Sequence, residues 1–138
     1  MLQKIFSNFK DYSLIPVRLA LGWIFIAHGG QKLFGLWGGP GLIGFAGSLE
    51  SLGLKPAIFW ALLAGCTEFF GGLMVLLGIF SRWGALFIIG VMVVAVATVH
   101  WKNGLFLSNQ GYEYNVALIG LALAILYSGS GRFSIKRD

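Results

Sequence analysis

Four long apolar runs, separated by short polar connections, occupy most of the chain. A membrane-spanning helix needs about 20 mostly apolar residues, and the runs are close to that length. They predict transmembrane helices over residues 13–34, 56–78, 81–101 and 112–128. A proline lies near the start of each of the first two ranges, where a helix tolerates the missing N–H group.

The segment between the first two runs, about residues 41–54, has a different pattern. Its larger apolar residues recur at helical spacing, as Leu42, Phe45, Leu49 and Leu52. The segment is too short to cross a bilayer, and its polar residues lie elsewhere around the helical turn. It predicts a short amphipathic helix in the membrane interface. An irregular loop is the alternative, because glycine is frequent there.

Composition supports a membrane protein. Hydrophobic residues make up 57% of the 138 residues, charged residues only 11%, and the mean hydropathy is +0.82. These values are too apolar for an ordinary soluble domain. We therefore predict a single all-α integral membrane domain over residues 1–138. Its fold class is a four transmembrane helix bundle with the short interfacial helix between helices 1 and 2.

The basic residues predict orientation rather than nucleic-acid binding. The net charge is +5, but the basic residues lie at the termini and helix ends instead of along one face. In the predicted topology, seven basic residues lie toward one side of the membrane: Lys4, Lys10, Arg18, Arg82, Arg132, Lys136 and Arg137. Three lie toward the other side: Lys32, Lys55 and Lys102. The positive-inside rule then places both termini in the cytoplasm. We expect an integral protein of a prokaryotic plasma membrane.

Polar residues inside the predicted spans are the candidates for function. A charged side chain at bilayer depth costs about 2.5–3.5 kcal/mol, so it usually faces the bundle and finds a partner. At about 100° per residue, Arg18, Phe25 and Lys32 share a glycine-containing stripe of the first span, with His28 at its edge. Glu68 and Glu113 share faces with Gly and Ala residues, which let helices approach closely.

Depth along the membrane normal arranges these residues as a ladder. Glu68 lies near the midplane, Arg18 roughly 9 Å toward the cytoplasm and His28 about 6 Å outward. Lys32, His100 and Glu113 fall near the outer boundary. Tyr112, Tyr114, Asn115 and Trp101 surround them. The ladder would carry protons or hold a polar head group. Alternatively, Arg18 and Glu68 form a buried ion pair that fixes helix register, and Lys32 and His100 extend to the interface.

No cofactor motif is visible. The single Cys66 cannot form an intramolecular disulfide, and neither CxxC nor CxxCH occurs. A haem held by both histidines is disfavoured, because His28 and His100 differ by roughly 7 Å in depth. His28, His100 and Glu113 lack any spacing diagnostic of a metal centre. We therefore predict no haem, flavin or iron–sulfur site and assign no metal ligands, while a metal held by these three residues stays an open alternative.

Three segments together resemble the DoxX family of small four-span membrane proteins, over about residues 14–130. They are PVRLALGWIFIAHGGQKLFG, GCTEFFGGLMVLLGIFSRWGAL and VHWKNGLF followed by GYEYNVAL. The resemblance implies a membrane subunit linked to quinone redox chemistry. Relatives are named for a thiosulfate:quinone oxidoreductase subunit, and others are associated with quinone or catechol stress and with complexes containing a superoxide dismutase and a sulfurtransferase. The motif residues carried over are Arg18, His28, Lys32, Glu68, His100 and Glu113.

The leading hypothesis is a protein that binds a quinone or similar aromatic head group near the outer leaflet and relays protons. The proposed catalytic residues are His28, Glu68 and Glu113. The proposed binding residues are Lys32, His100, Arg18, Trp23, Phe25, Tyr112 and Trp101. Electrons would come from a soluble or membrane redox partner protein, so the chain alone is not assigned as an enzyme.

A non-enzymatic membrane scaffold or small-molecule carrier is the alternative, with structural roles for the buried polar residues. The expected partners are the lipid bilayer, a redox protein and a second copy of the chain in a homodimer. The Gly and Ala stripes suit such a dimer. No nucleic-acid partner is expected.

Overall fold

The computed structural model describes residues 12–136, which fold as five α-helices without a β-strand. The helices are α1 (Leu14–Phe34), α2 (Gly41–Ser51), α3 (Ala57–Leu77), α4 (Ser81–Ala95) and α5 (Glu113–Ser128). A π-helical turn, Val96–His100, extends α4. The all-α class predicted from sequence is confirmed. Lys4, Lys10 and Arg137, which support part of the predicted orientation, lie outside the described residues.

In the described part of the chain, residues 12–136, two helical segments are long and apolar enough to cross a membrane. They are α3 and the continuous helical run Ser81–Asn103, which contains α4. Helix α1 has 21 residues but carries Arg18, His28 and Lys32. Helix α5 has 16 residues, fewer than the ~20 of a typical span. The four-span bundle therefore stays a prediction for α1 and α5.

The segment between α1 and α3 is helical rather than an irregular loop. Helix α2 covers Gly41–Ser51 and packs against both α3 and α1. Ala46 is buried in this contact, and Leu42, Phe45 and Leu49 are half-buried. The helical spacing of the apolar residues therefore identified the face that α2 turns toward its neighbours.

Helices α1 and α3 form the most extensive contact in the molecule. They run antiparallel, because Gly22 lies against Leu76 whereas Gly29 lies against Phe69. The backbones come so close that a Cβ added at Gly29 would be 2.5 Å from the Phe69 nitrogen. Gly72 is similarly crowded by the Ile26 backbone, and Gly65 lies against the Leu33 side chain. Glycine at these positions permits the close approach and fixes the register of the two helices.

Glycine also ends both of these helices. Gly35 follows α1 with φ +67°, and Gly78 follows α3 with φ +69°. The left-handed conformation suits glycine, which has no Cβ to clash. Below Gly78, only a short turn separates α3 from α4, so these helices pack side by side.

One apolar cluster joins four helices. Its buried members are Leu21 and Phe25 of α1, Val75 of α3, Ala85, Ile88 and Met92 of α4, and Leu118, Ala122 and Ile125 of α5. The four helices therefore share one interior. Phe25, predicted to line a ligand site, is a fully buried member of this cluster.

The segment after α5 packs at the end of the molecule where α1 begins and α3 ends. Ile135 and Lys136 donate backbone hydrogen bonds to the carbonyls of Leu77 and Gly78. Arg18 is buried beneath this segment. Its Nε donates to the Val75 carbonyl at 3.0 Å, and Nη1 donates to the Ser130 carbonyl at 2.9 Å. Arg18 thus ties α1, the end of α3 and the C-terminal segment together.

The α1–α3 contact predicts that two glycine-to-alanine changes differ in their effect on the free energy of unfolding. Gly29→Ala should lower the free energy of unfolding by about 1–3 kcal/mol, because its Cβ has no space. Gly90→Ala is the matched control, since nothing lies within 4 Å of a Cβ at that helical position. Thermal unfolding in detergent measures both. Equal stability of the two variants would contradict the proposed role of close backbone packing.

Arg18 predicts a second effect on stability. Arg18→Gln should cost about 3 kcal/mol or more, since several hydrogen bonds from a charged group are lost and buried carbonyls remain. It should also expose the segment at residues 129–136 to limited proteolysis. Lys55→Gln serves as the control because Lys55 is exposed. A C-terminal segment as protease-resistant as in the wild type would contradict this role of Arg18.

Candidate functional site

A buried ion pair joins α1 to α3. Lys32 Nζ donates to Glu68 Oε1 at 2.5 Å, and the side chains are 23% and 1% exposed respectively. The antiparallel register explains the pairing, because the contacts of Gly29 with Phe69 and of Gly65 with Leu33 bracket both residues. Lys32 and Glu68 are therefore at similar heights in the bundle.

This height corrects the predicted ladder. With each span centred separately on the bilayer, the sequence predicts Glu68 near the midplane and Lys32 near the outer boundary. In the structure, the glycine contacts set the register of α3 against α1, and this register brings Glu68 within hydrogen-bonding distance of Lys32. The alternative pair of Arg18 with Glu68 does not form, since Arg18 is hydrogen-bonded to carbonyls at the far end of α3.

The Glu68 carboxylate is only partly satisfied. Its second oxygen, Oε2, is buried and has no hydrogen-bond partner among the described residues. A buried polar atom without a partner is unfavourable by about 1–3 kcal/mol, and by more when the group is charged. Such atoms are rare in native proteins, and a bound water and a functional role are among the explanations for them. Ser81 Oγ and Ser130 Oγ are also buried without a partner among the described residues, but Glu68 is the acidic group of the three. Oε2 can accept a hydrogen bond from a donor that approaches it.

His28 and Phe45 complete the surroundings of the ion pair. His28 lies one turn before Lys32 on α1 and within electrostatic range of both Glu68 and Lys32. Its side chain is exposed at the protein surface. The Phe45 ring centroid lies 4.9 Å from Lys32 Nζ, which is a cation–π distance. We refer to His28, Lys32, Phe45 and Glu68 as the Lys–Glu site.

Phe45 was not among the sequence-predicted site residues. It was recognised only as part of the apolar face of α2. The conformation of the connection after α1, which turns α2 back over the α1–α3 pair, brings its ring to Lys32. The apolar face of α2 predicted that Phe45 packs against neighbouring helices. Nothing in the sequence showed that the Phe45 ring would contact Lys32.

His100 and Glu113 form a separate group in the connection between α4 and α5. His100 Nδ1 lies 2.7 Å from the Gln110 carbonyl oxygen, and Glu113 Oε1 accepts a hydrogen bond from the Leu107 N–H at 2.5 Å. Trp101 and Tyr112 stack with centroids 5.4 Å apart. Within residues 12–136, no hydrogen bond or ion pair joins this group to Lys32 or Glu68. His100 and Glu113, both predicted as site residues, therefore form hydrogen bonds that stabilise the connection between α4 and α5.

The aromatic residues predicted near the site have different surroundings. Trp23 is 59% exposed and contacts Trp37 edge-on, with ring centroids 6.2 Å apart. Trp37 folds back so that its ring lies near Gly30. Asn115 is buried and donates to Met92 Sδ at 3.4 Å. Of the sequence-predicted residues, the structure thus brings His28, Lys32 and Glu68 together at the Lys–Glu site, while Trp101 and Tyr112 stack in the separate loop group.

Metal binding has no support in the geometry of the described residues. Between residues 12 and 136, no three His, Cys, Asp or Glu side chains are grouped so that they could hold a metal ion. The possible ligands His28, His100 and Glu113 instead belong to the two separate groups described above. The chemistry available at the Lys–Glu site is hydrogen bonding and proton exchange.

The family model for DoxX matches residues 13–101, which is more than half of the chain. The chain belongs to the DoxX family. An uncharacterized membrane protein of Mycobacterium tuberculosis is 33% identical to this DoxX protein, over 91% of this chain and 80% of the relative. No solved structure matches the DoxX protein. The matched range includes Arg18, His28, Lys32, Glu68 and His100, while Glu113 lies beyond it.

The Lys–Glu site predicts strong coupling between its two charged residues. Lys32→Met should destabilise this DoxX protein by about 3 kcal/mol, because it leaves the buried Glu68 carboxylate without its partner. Glu68→Leu should cost less, because the Lys32 side chain that it leaves unpaired is 23% exposed. The double variant should recover much of that loss. A double-mutant cycle of unfolding free energies in detergent measures the coupling. Additive effects of the two changes would show that the pair is not coupled.

Proposed function

We propose that this DoxX protein binds a quinone-type aromatic head group at the Lys–Glu site and exchanges protons with it. The observation that carries the proposal is the buried, unpartnered Oε2 of Glu68. A quinol hydroxyl is a donor that suits this atom. The membrane character of the family supports a ligand that reaches the site from the bilayer.

Each residue has a chemical role in this proposal. Lys32 has two donor positions beyond the one used by Glu68, and it would donate to a quinone carbonyl oxygen. Glu68 would accept the hydroxyl hydrogen of the quinol at Oε2. His28 is exposed beside them, and imidazole exchanges protons near neutral pH. The three side chains would hold the oxygen and move the proton at it.

The ligand itself would supply the redox chemistry. Reduction of a quinone to a quinol takes up electrons and protons in equal number. We propose that a partner protein carrying a redox cofactor delivers the electrons, since His28, Lys32 and Glu68 can transfer only protons. Proton transfer by positioned side chains is a recognised contribution to such chemistry.

The proposed site is smaller than the ladder predicted from sequence. Arg18 hydrogen-bonds to carbonyls at one end, and His100 and Glu113 hold the α4–α5 connection. Phe25 is part of the apolar interior. These contacts favour structural roles for all four residues. They support the alternative of a scaffold for that part of the polar set, whereas Glu68 Oε2 at the Lys–Glu site has no partner among the described residues.

Direct binding tests the proposal. Purified protein in nanodiscs is titrated with a water-soluble short-chain quinol, and bound ligand is measured by equilibrium dialysis. Glu68→Gln should weaken binding about tenfold or more, because loss of a hydrogen bond to a charged group costs about 1.5–3 kcal/mol. His28→Ala should weaken binding by a smaller factor. Glu50→Gln is the control, since Glu50 is exposed on α2.

Two outcomes would contradict the proposal. One is the absence of saturable binding to the wild-type protein. The other is unchanged affinity in a Glu68→Gln variant whose circular dichroism shows the native helix content. A scaffold predicts the first result, together with a lower melting temperature of the Glu68→Gln variant, so binding measured on the same samples separates the two functions.

A further inference from the structure

An apolar groove runs along α4 and α5, and none of its lining residues belongs to the Lys–Glu site. Its volume is about 510 Å³, within the range of roughly 300–1,000 Å³ typical of ligand pockets. The walls along the two helices are formed by Val93, Val96, Ala97, Val116 and Ile119. They offer no side-chain hydrogen-bonding group, so they suit a hydrocarbon chain.

The helix geometry accounts for the groove. Helix α4 changes to a π-helical turn at Val96–His100, and two of the lining residues, Val96 and Ala97, belong to that turn. A π-turn is wider than an α-helical turn and is frequent at functional sites. Further along, Met92 and Leu118 bring the two helices together in the shared core.

Two aromatic rings form the loop end of the groove. Trp101 and Tyr112 both line it, and their rings are stacked with an interplanar angle of 15°. The hydrogen bonds of His100 with Gln110 and of Glu113 with Leu107 hold the intervening loop. Trp and Tyr are typical of the membrane–water interface, so this end is where a lipid head group would lie.

A cation lies next to this aromatic end. Lys102 directly follows Trp101 and is exposed, and it forms no ion pair within residues 12–136. Glu113 Oε1 accepts a hydrogen bond from the Leu107 N–H and the carboxylate keeps its negative charge, so Lys102 is the group in this loop that would attract an anion. An apolar groove that ends at aromatic rings and a lysine is complementary to an anionic amphiphile. We propose that the groove binds an acyl chain of an anionic phospholipid, with the phosphate at Lys102.

Two adjacent valines provide a matched test of the groove. Val93 and Val94 lie on α4 with 53% and 57% of their surface exposed, but only Val93 lines the groove. Val93→Trp should fill the space, whereas Val94→Trp adds the same bulk outside it. Native mass spectrometry of delipidated protein in detergent, titrated with phosphatidylglycerol or phosphatidylcholine, counts the bound lipids.

The wild type should bind phosphatidylglycerol about fivefold more tightly than phosphatidylcholine, as expected for one lysine near a charged head group. Lys102→Gln should abolish that preference and leave the phosphatidylcholine affinity unchanged. Val93→Trp should weaken binding of both lipids about tenfold, and Val94→Trp should not. Equal wild-type affinity for the two lipids, or equal effects of the two tryptophans, would overturn the proposal. Because Lys102 is exposed, its variant gives a result even if Val93→Trp fails to fold.

Discussion

The close antiparallel contact of α1 with α3 sets the positions of the other functional groups. Gly22, Gly29 and Gly72 have no room for a side chain because backbone atoms of the facing helix lie against them, so the two helices fit together in one register. That register brings Lys32 to Glu68 near one end of α1 and places Arg18 at the last turn of α3 near the other. The Lys32–Glu68 ion pair and the hydrogen bonds of Arg18 therefore depend on the same glycines. In a membrane, where lipid is as apolar as the helix surfaces, such packing is a principal driving force for association.

The polar side chains within this scaffold differ in how far they are satisfied. Arg18 donates to several backbone carbonyls, and Glu113 accepts from a loop N–H. These contacts remove the cost of placing polar groups in an apolar protein, and they connect segments distant in the chain. Glu68 differs, because Lys32 occupies one oxygen and the other has no partner in the described part of the chain. An incompletely satisfied charge in a buried position is what distinguishes a candidate ligand site from a structural tie.

The helices were predictable because their apolar runs are long and end at strong signals. The runs predicted over 13–34 and 56–78 agree closely with α1 and α3, which end at Gly35 and Gly78. Helix α2 was also predicted from its spacing. The π-turn after α4 was missed, because Val96–His100 has the same apolar character as the helix before it. A change of helix type depends on local hydrogen bonding that apolar periodicity does not record.

The amino-acid sequence by itself determined the all-helical class, the family and the residues whose chemistry is unusual for an apolar chain. Hydrophobic periodicity and the cost of buried charge are local properties, so they can be inferred from residue types and spacing. Only the tertiary structure decided which of those residues meet. Lys32 pairs with Glu68, Arg18 ties the C-terminal segment, and His100 and Glu113 hold a loop. Which side chains pair depends on the register of one helix against its neighbour. That register is set by the glycine contacts between α1 and α3 rather than by the ends of either helix.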